Sequence, residues 1–96
     1  MIKIQRFVSG ITIDGHAGYA ESGRDIVCAA VSILVWTLIK SLKDLTIDTI
    51  EYRTSDGHAE LWFRGLSERG EFLVTSFLIG IEGVIKSYGE EYVKLI

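Results

Sequence analysis

Apolar and polar residues alternate loosely from Ile2 to Val8 and again from Ile11 to Asp14, on either side of Ser9-Gly10. A period of two sends successive side chains to opposite faces of a strand, so this pattern predicts two short strands joined by a tight turn. The alternation then stops. Gly15 to Gly23 contains three glycines and no apolar period, which reads as a mobile loop. From Ile26 to Leu42 the chain is apolar on nearly every side, and Lys40 and Lys43 follow as end signals. Length and end signals predict a helix from about Asp25 to Lys43, while the β-branched content keeps a strand reading open. A helix that is apolar all round has to be covered all round, by a sheet on one side and by another helix or a second subunit on the other.

Period two returns at Thr46–Arg53 and Ala59–Arg64, around Thr54-Ser55-Asp56-Gly57-His58. This predicts a second hairpin with Ile50, Tyr52, Leu61 and Phe63 facing inward, Ile47 out of phase and His58 in the turn. Ser67 opens a second helix that runs to about Tyr88. Its start signal is imperfect, because a capping box wants a glutamate at the position of Gly70 and Glu71 comes one residue late. Leu73, Phe77, Ile81 and Val84 trace its apolar side, with Val74, Leu78 and Ile85 beside them. Gly89 ends it, and Tyr92–Ile96 is short and strand-like. The order strand, strand, helix, strand, strand, helix and a possible last strand makes the class α+β, a sheet with two helices. Residues 1–96 are expected to form a single domain.

Composition adds an argument for association. A chain of 96 residues buries only roughly two thirds of its unfolded surface, and Cys28 has no partner for a disulfide. Hydrophobic residues make up 48%, and the mean hydropathy is +0.29, so some apolar surface is expected to face a second copy. A net charge of −3 gives no general attraction to phosphate backbones, and Tyr19, Tyr88 and Tyr92 lack the basic interleaving of a nucleic-acid platform. No direct nucleic-acid partner is expected. Trp36 and Trp62 are expected in the core or at an interface. The charged N-terminus does not read as a secretion signal. The apolar run Ile26–Ile39 is fourteen residues long, short of the ~20 of a membrane span, so no membrane is expected either. A lone cysteine fits a reducing cytoplasm. No cofactor is expected, and His16, Cys28, His58 and the carboxylates have no recognised metal-ligand spacing.

The candidate chemistry lies between Gly15 and Ser32. A helix beginning at Asp25 puts Cys28 in its first turn, where free N–H groups and the positive end of the helix dipole favour a thiolate. The same N–H groups suit an oxyanion. His16, twelve residues upstream on the glycine-rich loop, is placed to act as acid–base partner. Gly15, Gly18 and Gly23, with Tyr19 between them, would let the loop close on a substrate. Asp25 either caps the helix through the Cys28 N–H, where its charge opposes a thiolate, or orients His16. Ser32 lies one turn beyond Cys28 on the same face. Plainer readings stand beside these: Cys28 as core, His16 as a solvated loop residue, Ser32 as a small packing residue and the glycines as turn formers.

"GHAGYA" followed by "GRDIVCAAVS" is similar to the signature of the ribosomal-processing cysteine proteases, the Prp family. The resemblance implies a cytoplasmic, homodimeric bacterial endopeptidase. Its substrate would be the N-terminal extension of the twenty-seventh protein of the large ribosomal subunit, cut after a hydrophobic, aromatic-containing sequence. It also implies that His16 and Cys28 form the catalytic dyad, that Asp25 and Ser32 support them, and that Gly15–Gly23 is a substrate-gated lid. Two other functions fit the residues: a non-catalytic, ribosome-associated peptide-binding dimer, and a thiol-dependent redox or acyl-transfer protein, although the redox variant lacks a resolving cysteine.

Overall fold

The computed structural model describes residues 1–96. Strand β1 (Ile2–Phe7) turns through Val8-Ser9 into β2 (Gly10–Asp14), and the loop leads into helix α1 (Ile26–Leu45). Strands β3 (Ile50–Ser55) and β4 (His58–Phe63), helix α2 (Glu68–Tyr88) and the short β5 (Val93–Leu95) follow. The five strands form one sheet in the order β3-β4-β2-β1-β5, with β5 parallel to β1 and every other pairing antiparallel. This is the expected α+β arrangement, last strand included.

The register explains why one face is core. Ile4 pairs with Ile13, Ile11 with Leu61, Ile50 with Phe63 and Ile2 with Val93, so the apolar members of each alternation stack on the same side. Both helices cover that side, α1 through Val27, Val31, Val35, Leu38, Ile39 and Leu42, and α2 through Val74, Phe77, Ile81 and Val84. The helices approach closely at Gly80, where a β-carbon would meet Leu34 Cδ2 at 2.7 Å. The stripe on α2 is one position away from the expected one at its start: Val74 is fully buried and Leu73 only half-buried.

The second hairpin begins four residues later than its alternation suggested. Thr46 caps α1, its hydroxyl donating to Leu42 O at 2.6 Å, and Ile47 is almost fully exposed. Leu61 and Phe63 are buried as expected, but β3 is an edge strand: Tyr52 is exposed and Ile50 half-buried. Tyr52 lies edge-on to Trp36 and under the Lys43 ammonium instead. Neither tryptophan is core. Trp36 is half exposed on α1, and Trp62 lies on the outer sheet face, where it stacks on Phe7 and covers Gly10.

The imperfect start of α2 is completed from another segment. Ser67 Oγ accepts from Gly70 N at 3.1 Å, and the Asp48 carboxylate accepts from Ser67 N at 2.9 Å and from Ser67 Oγ at 2.8 Å. A β-carbon at residue 70 would strike that carboxylate, which is why glycine stands where a capping box has glutamate. Partial desolvation pushes the Asp48 carboxyl up, but the Ser67 and Thr46 donors prevail and hold it below the usual carboxylate value.

At 20 residues, with a stretch of mean hydropathy 1.8, α1 extends beyond the fourteen-residue apolar run that Ser32 and Thr37 interrupt, and by length and composition alone it is sufficient to cross a membrane. Its inner stripe is the centre of the core. On the outer side Ile26, Ile33 and Trp36 are exposed, so the sheet and α2 cover the inner sides of this apolar helix and its outer side is left open.

Candidate active site

Asp25 begins the site because it begins the helix. Its Oδ1 accepts from Val27 N at 3.0 Å and from Cys28 N at 2.9 Å, the N-cap geometry. Its Oδ2 reaches back into the loop and accepts from Tyr19 N at 3.0 Å and from Ala20 N at 3.4 Å. Desolvation raises the affinity of this carboxyl for a proton, yet the Cys28, Ala20 and Tyr19 amides and the neighbouring Cys28 thiol outweigh it, and the group is held below its ordinary value. Asp25 is therefore both cap and loop brace. Its oxygens are committed to four amides, and it makes no hydrogen bond to His16, so of the two roles open to it in the sequence it takes the cap.

Cys28 sits half-buried in the first turn of α1, as its position predicted. Three of the N–H groups at this helix end are taken: Val27 N and Cys28 N are held by Asp25 Oδ1, and Ala29 N donates to Asp25 O at 3.1 Å. The donor facing the sulfur comes from the loop, with Ala17 N 3.3 Å from Cys28 Sγ. Ala17 is buried, the one residue of the glycine-rich stretch that enters the core, and the adjacent His16 lines the same cleft as the cysteine. The sequence reading missed Ala17. Its signal was slight, a single small apolar residue between His16 and Gly18.

The loop is more constrained than a glycine-rich composition suggests. Gly15 N donates to Gly57 O at 2.8 Å, Ala17 holds the sulfur, Asp25 holds Tyr19 and Ala20, and Arg24 N donates to Glu21 O at 2.9 Å. The Tyr19 ring points away from the cysteine and packs edge-on against Tyr92 and Tyr88, centroids 5.1 and 5.5 Å apart. The other loop positions, Gly15, Gly18 and Gly23, line an open cleft of about 590 Å³ together with His16, Cys28 and Ser32. Val31, Val35 and Trp36 form its apolar wall, and Thr54–Ala59 of the second hairpin the wall opposite. That volume lies within the range of sites that enclose a ligand of several residues' bulk. Ser32 is exposed to the cleft and makes no hydrogen bond to Cys28; no hydrogen bond joins His16 to Cys28 either.

His58 is not a turn residue. It heads β4, directly across from Asp14, and its ring bridges two carboxylates, Asp14 through Nδ1 and Glu60 through Nε2 at 3.0 Å. The Asp14 hydrogen bond, then that from Glu60, pushes the imidazole up, and in return His58 pulls Glu60 down. The raised histidine stabilises the fold fully below its free value of 6.5, and that contribution is lost as pH rises through the raised value. The lowered Glu60 contributes above its free value of 4.5 and loses its share as pH falls. The melting temperature of the parent should therefore exceed that of His58→Gln most between those two values, with the gap closing toward alkaline pH; a constant gap in circular-dichroism melts would contradict the clamp.

A cysteine in the first turn of a helix, a histidine on the same cleft and a peptide-sized groove between them form a constellation suited to attack on a carbonyl. The family model of the cysteine protease Prp matches residues 1–94. The chain belongs to the Prp cysteine protease family. A ribosomal processing cysteine protease Prp of Staphylococcus aureus is 23% identical over 86 residues, which cover 86% of this chain and 81% of that protein. The crystal structure of the S. aureus Prp protease with a covalently linked product peptide superposes with a TM-score of 0.87 at 22% identity, over 98% of this chain and 94% of the other. The same protease with a substrate peptide gives 0.76 at 20% identity, over 99% and 95%. A Streptococcus mutans protein gives 0.78 at 29% identity, over 98% and 89%. Ribosomal processing by a cysteine protease is thus the family's work, and the Prp fold is this chain's fold.

Proposed function

We propose that this protein is a cytoplasmic, homodimeric endopeptidase that removes the N-terminal extension of the twenty-seventh protein of the large ribosomal subunit, cutting after a hydrophobic, aromatic-containing sequence. The observation that carries the reading is Cys28 at the start of α1, with His16 on the same cleft and the Ala17 N–H directed at the sulfur. Cys28 passes its thiol proton to His16 as Sγ bonds to the scissile carbonyl carbon, and the carbonyl oxygen becomes an oxyanion. Ala17 N–H, directed at the sulfur, is the first candidate to donate to that oxyanion. The tetrahedral species collapses to a thioester as the C–N bond breaks, and the leaving amine takes its proton from His16. His16 then accepts a proton from water, whose oxygen attacks the thioester; the C–S bond breaks, and the new N-terminal fragment's acyl group leaves as a carboxylic acid while the thiol is restored.

The apolar wall of Val31, Val35 and Trp36 favours hydrophobic side chains before the cut. Incubating the protein with a peptide that spans the extension and its junction, and weighing the products, tests the assignment. Two fragments meeting at one aromatic-flanked bond support it. An intact peptide that remains bound would turn the reading to the non-catalytic binding module.

The homodimer reading is supported by the uncovered side of α1, where Ile26, Ile33 and Trp36 are exposed in the single chain. Ile33 lies away from the cleft. Ile33→Glu should weaken self-association at least roughly tenfold, since a charge would be left unpaired in a desolvated contact. Light scattering on a dilution series reads this, and an unchanged dimer would place the interface elsewhere.

A further inference from the structure

With Asp25 committed to amides, the group that faces the imidazole is on the second hairpin. His16 Nε2 lies 3.7 Å from Asp56 Oδ1 at the β3–β4 turn. The ring also rests on Gly57: a β-carbon there would lie 2.7 Å from Nε2 and 3.2 Å from Cδ2, so any side chain at 57 would displace it. Gly57 has a φ of 71°, the left-handed conformation the turn requires, and the same residue leaves room for the ring. Two contacts hold the loop and the turn in this relation. Gly15 N donates to Gly57 O at 2.8 Å, and His58 binds the carboxylate of Asp14, the last residue of β2. Thus the residues before His16 are gripped by the residues after Asp56, and the Nε2 edge of the imidazole is turned to the hairpin.

We propose that Asp56 is a positioning residue for His16. Its carboxylate keeps the proton on Nε2, which leaves Nδ1 as the unprotonated nitrogen available to the Cys28 thiol. The physical ground is that a carboxylate close to one ring nitrogen favours the proton there, here through an ion-pair contact of 3.7 Å, longer than a hydrogen bond. The inference rests on the reading of His16 as the acid–base partner of Cys28. Asp56 acts through His16 and touches no reacting atom. Its side chain is 97% exposed, so the pair is screened and its effect is modest, and its removal leaves the fold untouched.

The chain has two histidines, so long-range proton–nitrogen NMR of the rings resolves both, with His16→Ala assigning the signals. At a pH of about 9, above the usual histidine range, His16 of the parent should show the Nε2–H tautomer. Asp56→Ala should move both ring nitrogens toward the mixed values of free histidine, and Asp56→Glu should restore them. Alkylation of Cys28 by iodoacetamide should slow roughly two- to fivefold in Asp56→Ala, the size of effect an exposed ion pair carries. In a His16→Ala background the Asp56 change should do nothing further, because both act through one ring. Unchanged His16 nitrogens in Asp56→Ala, or an equal slowing without His16, would overturn the role of Asp56. Neither measurement uses a peptide, so the substrate assignment stands or falls separately; if His16→Ala alkylates like the parent, the dyad reading falls and Asp56 with it.

Discussion

Cys28→Ala is expected to fold like the parent and to cut its peptide roughly 10⁶-fold more slowly or not at all, the scale seen when a covalent nucleophile is removed. The fold survives because Sγ is only half-buried at the cleft and the core contacts of α1 come from Val27, Val31 and their stripe. His16→Ala should lose less, roughly 10²- to 10⁴-fold, since proton transfer is removed while the thiol and the peptide groove remain. The double variant should be no slower than Cys28→Ala, because a proton shuttle without a nucleophile has nothing to serve. Product mass and initial rate measure these effects, with thermal melts as the control on folding. A Cys28→Ala protein that processed peptide at the parent rate would move the nucleophile away from α1.

The second large effect is expected at Asp25, which holds helix and loop together. Asp25→Ala removes the cap, worth about 1 kcal/mol, and the charged hydrogen bonds into the loop, for a total of about 2 kcal/mol. In a domain of this size that corresponds to a fall of roughly 10 °C in melting temperature. Activity should fall further than stability implies, because release of Tyr19 and Ala20 frees the segment that places Ala17 on the sulfur. Asp25→Asn separates the two functions. Its single carbonyl oxygen still caps Val27 and Cys28, while its amide cannot accept from Tyr19 and Ala20, so the helix should be retained and the loop untied. The pH dependence has a definite sign. The folded carboxyl binds its proton less readily than the free group, whose value is 3.8, so its contribution is complete above that value and is lost as pH falls through the lowered folded value. The acid limb of the parent's stability curve should therefore be steeper than that of Asp25→Asn, and equal slopes would show that the four amide contacts contribute nothing.

Between them, these residues show what was legible in advance. The strands, both helices and most of the apolar positions along them could be read because period two and period 3.6 are local consequences of backbone geometry. Asp25 as a cap, Cys28 in the first turn of the helix and His16 on the preceding loop could be read for the same reason: each is set by neighbours a few residues away. The exposure of Tyr52 at the sheet edge, the exposed tryptophans and the later start of β3 could not, since alternation says that a strand has two faces and not which strand lies at an edge. The pairing of Asp48 with Ser67 and the space it requires at Gly70 were equally hidden, because they join segments 19 residues apart.

By itself the sequence determined the α+β class, the elements and the place of a histidine and a cysteine near one helix end, all through short-range patterns of polarity and capping. Only the tertiary structure decided what surrounds them. It closed the loop onto the sulfur through Ala17, took Asp25 away from His16, and brought Asp56, Gly57 and His58 to the far wall of the cleft. Those contacts depend on sheet pairing of β2 with β4, a long-range choice made by the burial of Ile11, Ile13 and Leu61, and no local pattern records it.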